Sequence, residues 1–157
     1  MASFQAKVLT VSDGVSAGIR EDLSGLELVG ALIAAGAAVV ETRICSDGAD
    51  TVHRVLKEMT DDFAGVVVTT GGTGFAPRDE TPEGTRRLIE REAPGLAEAM
   101  RAVNPLGRLS RGVVGIIGTS IIVNTPGSPK GCVEQLNAII DVLPHATALL
   151  SQTPTTH

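Results

Sequence analysis

The chain has no tryptophan and no tyrosine, and its aromatic rings are Phe4, Phe63 and Phe75. Positive charge is also scarce. Thirteen Lys and Arg stand against 18 Asp and Glu, a formal net charge of −5, with the basic residues dispersed. Nucleic-acid surfaces need a basic patch and often stacking aromatics, so a macromolecular polyanion is not an expected partner. A small phosphate-bearing ligand stays open. Cysteine occurs twice, at Cys45 and Cys132, far apart and with no paired spacing, so neither a zinc site nor a disulfide framework follows. Both read as small buried hydrophobes. His53, His145 and His157 fall in no metal-ligand spacing and complete no Ser-His-Asp arrangement. No apolar run approaches the roughly 20 residues that cross a bilayer. "MASFQAKVLTVSDG" lacks the pattern of a signal peptide. The expectation is a cytoplasmic protein with no membrane partner.

What the chain does have is an apolar, alternating body. Its 157 residues are 43% hydrophobic and its mean hydropathy is positive, enough for a core without staples. The reading is one domain, 1–157, with its core over about 6–150 and a fraying tail at 151–157. "AKVLTVS" (6–12), "AAVVETRIC" (37–45) and "AGVVVTT" (64–70) read as strands. Ser24 and Glu27 have capping-box spacing, which starts a helix carrying Leu26, Val29, Leu32 and Ile33 inward to an end near Gly36. From Asp50, the residues Val52, Val55, Leu56 and Met59 recur at helical spacing. Thr81-Pro82 and Ser128-Pro129 each read as an N-cap followed by proline. A break is expected near Ala93-Pro94. Two short strands around Gly118 form an edge hairpin. A last helix carries Val133, Leu136, Ile139, Ile140 and Leu143. Strands this apolar, alternating with helices, predict an α/β fold around a mostly parallel sheet with helices on both faces.

In such sheets ligands bind beyond the carboxyl ends of the strands, where four unusual loops fall. These are Ser12-Asp13-Gly14, Asp47-Gly48, the run from Gly71-Gly72-Thr73-Gly74 to Asp79, and Asn124 to Ser128. Gly71, Gly72 and Gly74 permit the close approach of backbone N–H groups to an anion, or simply a tight turn. "NTPGSPKG" repeats the logic, with free N–H groups at a helix start and Lys130 near; a plain capping turn is the other reading. Asp13, Asp47 and Asp79 would repel a phosphate at this rim unless a cation intervened. Mg2+ is held by one or two carboxylates plus phosphate oxygens. Backbone donors beside acids make a phosphoryl- or nucleotidyl-transfer layout. Arg78 would offset negative charge there, or pair with Asp79 or Glu80.

"LTVSDGVSAGIREDLSG", "TTGGTGFAPRDETPEGTRRLI" and "LSRGVVGIIGTSIIVNTPGSPKG" resemble the three signature blocks of the MoaB and MogA family of molybdenum cofactor biosynthesis. The same domain occurs in gephyrin, and the likeness runs from about Lys7 to Leu150. The resemblance implies a three-layer α/β/α domain, a homotrimer or in some members a hexamer, and transient contact with the molybdenum-insertion enzyme. Catalytic members adenylylate molybdopterin with Mg-ATP, releasing pyrophosphate; others of the family bind pterin or nucleotide without catalysis. Carried onto this chain, Asp47 and Asp79 match the acids tied to Mg2+ and catalysis. Gly71, Gly72, Thr73 and Gly74 match the phosphate cradle, and Ser12 and Asp13 the nucleotide loop. Gly127 and Ser128 match the late loop at the pocket, and Ser110 a block on the pterin side. At Ser46-Asp47-Gly48 the chain departs from the family pattern, which commonly has a further acid or a preceding proline.

Overall fold

The computed structural model describes residues 3–152, so the expected fraying of the tail falls largely outside the described residues. In chain order the elements are β1 (Phe4–Val11), α1 (Asp13–Ser16), α2 (Leu23–Ala34), β2 (Ala37–Cys45), α3 (Ala49–Thr60) and β3 (Gly65–Thr70). Then come α4 (Thr81–Arg86), β4 (Arg91–Glu92), α5 (Pro94–Arg101), β5 (Val114–Ile117), β6 (Ser120–Thr125), α6 (Pro129–Asn137) and α7 (Leu143–Leu150). A 3-10 turn covers Pro105–Leu109 and another Ile140–Val142.

The strands form one sheet in the order β2-β1-β3-β6-β5-β4. β2, β1, β3 and β6 run parallel. β5 and β6 form the expected hairpin around Gly118, but β6 lies inside the sheet and the edge is the short antiparallel β4, which the sequence reading does not include. All six residues of β3 are buried, as are all six of β6, because helices cover both faces. Side chains alternate across the sheet. Ala6, Val8, Val66, Val68, Ile121 and Val123 meet Leu28 and Leu32 of α2, Ala97 and Met100 of α5, Leu136 of α6 and Leu143 of α7. On the opposite face Leu9, Val11, Val67 and Ile122 meet Val52, Val55, Leu56 and Met59 of α3. Each Val, Leu, Ile or Met side chain among them, fully buried, contributes about 1.5–3 kcal/mol. The three-layer α/β/α fold is the one expected. It sets the carboxyl ends of four parallel strands, at Val11, Cys45, Thr70 and Thr125, along one rim.

Three local expectations are corrected. The cap of α2 is Asp22, whose carboxylate accepts from the Gly25 N–H at 3.0 Å and the Thr10 hydroxyl at 2.9 Å. An ionised carboxylate is a stronger acceptor than the Ser24 hydroxyl. The helix starts earlier; Leu32 is buried and Val29 packs partly buried against the core as expected, but Leu28 joins them while Leu26 is 70% and Ile33 58% exposed. The cap of α4 is Glu80, not Thr81, although Pro82 does fall in the first turn. The last helix is three pieces: α6 ends at Asn137, and α7 begins afresh with Pro144 in its first turn. Proline has no N–H to donate and crowds the carbonyl four residues back, which breaks the run although Leu136, Ile139 and Leu143 are all buried as expected.

Candidate functional site

The loops after β3 and β6 are built by donors that hold their carbonyls from behind. The Thr81 hydroxyl donates to the Gly71 carbonyl at 2.9 Å, and the Ser24 hydroxyl to that of Gly127 at 2.5 Å. Thr70 donates to the Pro126 carbonyl at 2.8 Å. Arg111 reaches the carbonyls of Gly74 at 2.8 Å and Asp79 at 2.6 Å, then pairs with Glu83 at 2.7 Å. The two hydroxyls that look like helix caps in the sequence are thus loop tethers. With the carbonyls occupied, the N–H groups of Gly72, Thr73, Gly74, Gly127 and Ser128 have no protein acceptor among the described residues. Gly71 (φ +101°) and Gly72 (φ +70°) lie in the left-handed region, where only glycine is unstrained. A Cβ on Gly71 would run into the Val11 carbonyl. One on Gly72 would strike the Thr81 hydroxyl and lie 3.1 Å from Asp47 Oδ1.

Two cavities open on either side of this loop pair. The larger, about 740 Å³, is lined by Ser12, Arg20, Asp22 and Asp47 together with Thr70 and Gly71. The smaller, about 560 Å³, is lined by Thr73, Gly74, Asn104, Leu106, Leu109 and Ser110. Gly72, Asp79, Gly127 and Ser128 line both, so they form a shared ridge between them. A ligand seated in each cavity would present its end to the same backbone donors and the same carboxylate.

The acids are arranged around that ridge. Asp47 Oδ2 accepts from the Asp13 N–H at 3.0 Å, and Asp13 Oδ1 accepts from the Asp47 N–H at 3.1 Å, which locks the first two loops together. Arg78 closes the lock with both carboxylate oxygens of Asp13, at 2.7 and 3.1 Å, and the Asp47 carbonyl at 2.9 Å. Its partner is therefore Asp13 and not Asp79 or Glu80. Hydrogen bonding from Arg78 holds the Asp13 carboxyl below its ordinary range. Asp47 is raised, first by burial, then by the negative charges of Asp13 and Asp79. Asp79 Oδ2 accepts from the Ala76 N–H at 3.0 Å and lies 2.9 Å from where a Gly74 Cβ would sit. Asp47 and Asp79 thus lean against the side-chain-free faces of Gly72 and Gly74. A crowded, partly buried carboxylate beside a second one fits a divalent cation. Among the described residues no group of three or more His, Cys, Asp or Glu is placed to hold a metal unaided. That donor set suits Mg2+, which takes one or two carboxylates and completes its shell with water and phosphate oxygens.

Of the residues expected at the site, Ser12, Gly71, Gly72, Thr73, Gly74, Ser110, Gly127, Ser128, Asp47 and Asp79 line one or both cavities. Asp13 does not; it reaches the site through Asp47 and Arg78. Asn124 is no rim residue either. Buried, it accepts from the Val113 N–H and donates to Thr69 and Thr85, each at 3.1 Å. Lys130 lines the smaller cavity, extended into solvent. The sequence does not point to Arg111, to Asp22 or to the tethering role of Thr81. Arg111 sits in the Leu-Ser-Arg block, yet no spacing tells that its guanidinium folds back onto the glycine loop. Burial pushes both cysteine thiols up to about 11, so neither is a nucleophile at neutral pH.

Comparison with known proteins shows the family. The family model described as a probable molybdopterin binding domain matches residues 7–145. A molybdopterin adenylyltransferase of Helicobacter pylori strain J99 is 37% identical over 157 residues, covering 96% of this chain and 89% of that protein. The molybdenum cofactor synthesis protein cinnamon of Drosophila melanogaster is 38% identical over 96% of this chain, which spans only 26% of the fly protein. The crystal structure of the molybdopterin biosynthesis enzyme MoaB from Thermus thermophilus superposes with a TM-score of 0.91 at 42% identity, over 98% of this chain and 99% of that one. The chain belongs to the molybdopterin-binding domain family of molybdenum cofactor biosynthesis.

Proposed function

We propose that the protein is a molybdopterin adenylyltransferase that uses Mg-ATP. The observation that carries this is the shared ridge, because two cavities meeting over one set of free N–H groups suit a reaction between two bound substrates. The relatives named molybdopterin adenylyltransferase support the choice of substrates. ATP takes the larger, more polar cavity, with its phosphates over Gly72 and the start of α6. Molybdopterin takes the smaller one, with its terminal phosphate toward the ridge. An oxygen of that phosphate attacks the α-phosphorus of ATP; the bond to the β-phosphate oxygen breaks, and pyrophosphate leaves with the electron pair. The product carries AMP on the pterin phosphate.

The protein's share is positioning and charge neutralisation. N–H groups of Gly72, Thr73, Gly74, Gly127 and Ser128 bind the phosphate oxygens. Asp47 and Asp79 would hold Mg2+, which when bound supplies charge neutralisation on the phosphates. Arg78 keeps the first two loops closed by its bonds to Asp13 and the Asp47 carbonyl. Exposed Leu23, Leu26 and Ile33 of α2, with Val40 and Ile44 of β2, support self-association, for which we propose the trimer of the family resemblance, in the cytoplasm.

Purified protein given Mg-ATP should release pyrophosphate when molybdopterin is added, and stop when a chelator is added. Binding of molybdopterin without any pyrophosphate release would contradict the enzyme and leave a pterin-binding protein.

A further inference from the structure

Among the residues that line the smaller cavity and not the larger is a polar pair that the transfer reaction does not use. Glu134 of α6 lines the cavity with a side chain 31% exposed. Its carboxylate has only long contacts: Asn104 Nδ2 at 3.4 Å from Oε2, and the solvent-extended Lys130 at 3.8 Å from Oε1. An ionised carboxylate offers about four acceptor positions, so most of its capacity is unspent. Asn104 is fixed in orientation, since its Oδ1 accepts from the Leu106 N–H at 2.9 Å and leaves the amide NH2 toward Glu134. The wall therefore presents a donor followed by two acceptors. Leu106 and Leu109 supply apolar surface beside it.

We propose that Glu134 and Asn104 read the 2-amino-4-oxo edge of the pterin and set the specificity of this cavity. That edge presents, in order, an oxygen acceptor, the N3–H donor and the 2-amino donor, the complement of Asn104 Nδ2 and the two Glu134 oxygens. A carboxylate accepting two N–H groups side by side forms a bidentate, charge-assisted pair. A 2,4-dioxo ring places an oxygen where the amino group belongs and meets the carboxylate with repulsion. The assignment rests on the pterin reading of the preceding section and adds the residues that would recognise it.

Two measurements separate the two claims. In pyrophosphate release, Glu134→Gln should raise the KM for molybdopterin about 10- to 100-fold, as loss of such a pair implies, with the KM for ATP unmoved. An unchanged molybdopterin KM overturns the inference and leaves the adenylyltransferase standing. Direct binding, followed by the fluorescence of 6-hydroxymethylpterin and of its 2,4-dioxo counterpart 6-hydroxymethyllumazine, does not depend on turnover. The parent should prefer the pterin. Glu134→Gln should narrow or invert the preference, because the new amide donates to the 2-oxo group. Asn104→Asp, which turns the donor into an acceptor facing the 4-oxo group, should weaken the pterin as well. An unaltered preference in variants that melt with the parent assigns Glu134 and Asn104 a purely structural role and overturns the inference. A parent that binds neither ring and releases no pyrophosphate removes the pterin reading itself, and the inference with it.

Discussion

The cavity beside Ser12 sets the charged Arg20, Glu21, Asp22 and Asp47 against an apolar patch of Val15, Ile19 and Leu23, whereas the one beside Ser110 has Leu106 and Leu109 next to the amides of Asn104 and Gln135. In the first, Asp47 is held from outside the cavity by the lock it forms with Asp13 and Arg78, which ties two strand ends together. The second is bounded by the 3-10 turn at Pro105–Leu109 and the flank of α6, which hold Leu106, Leu109 and Glu134. Polyphosphate recognition needs donors and a cation. A flat heterocycle needs apolar faces and an edge pattern. On the proposed reading, the sheet rim would supply the phosphate chemistry common to both substrates, and the peripheral turn what distinguishes the second.

The largest effect should fall on the ridge, where both cavities depend on one group. Asp79→Asn is expected to lower kcat by about 10²- to 10³-fold, the scale of losing one electrostatic stabiliser in a closed site. Its thermal melt should match the parent, since the amide oxygen can still accept from Ala76. A folded variant with full turnover would remove Asp79 from the chemistry.

Arg111→Ala tests the support behind the ridge. Without it the Gly74 and Asp79 carbonyls lose their donor, and a loop displaced by about 1 Å can cost up to about 10²-fold. We expect kcat/KM to fall about 10- to 100-fold, with molybdopterin and ATP affected together. An effect confined to one substrate would mean that the ridge is not shared.

Gly72→Ala probes stability and function at once. Its φ of +70° and the crowding by Thr81 and Asp47 predict a loss of about 1–3 kcal/mol in chemical denaturation. Parent-like stability would show that the loop is not held as described.

The smallest effect is of opposite sign. The Asp47 carboxyl is raised above its ordinary value of 3.8 by burial and by neighbouring charge. It therefore holds its proton in the fold to higher pH than in the unfolded chain. The ionised form costs stability above the raised value and nothing below the ordinary one, so stability falls as pH rises through that window. Asp47→Asn should melt above the parent at pH 7 and with it at pH 3, while losing activity. A melt gain that persists at pH 3 would assign it to packing instead.

How much of this was legible depended on whether the signal was local. β2, α3 and β3 follow from runs of β-branched residues and from Val52, Val55, Leu56 and Met59 at helical spacing, and the structure has them nearly residue for residue. The carboxyl-end rim then follows from topology alone. Ser24 and Thr81 look like caps in the sequence because a hydroxyl before a helix serves equally as a cap or as a donor to a distant carbonyl. Only the fold brings Gly127 within reach of Ser24, 103 residues away. Asp22, two residues upstream, had the stronger claim on the helix start. Arg111 is illegible for the same reason, since Gly74, Asp79 and Glu83 are 28 or more residues away, and so is the contact of Glu134 with Asn104, 30 residues away.

The central claim is that two substrates occupy two cavities and meet over one ridge. The most direct test is equilibrium binding of α,β-methylene ATP with Mg2+, which cannot undergo the transfer, to protein with and without saturating molybdopterin. The account predicts one nucleotide bound per chain in both cases, and a ternary complex. Mutual exclusion of the two ligands would contradict it, because it would place both in a single cavity.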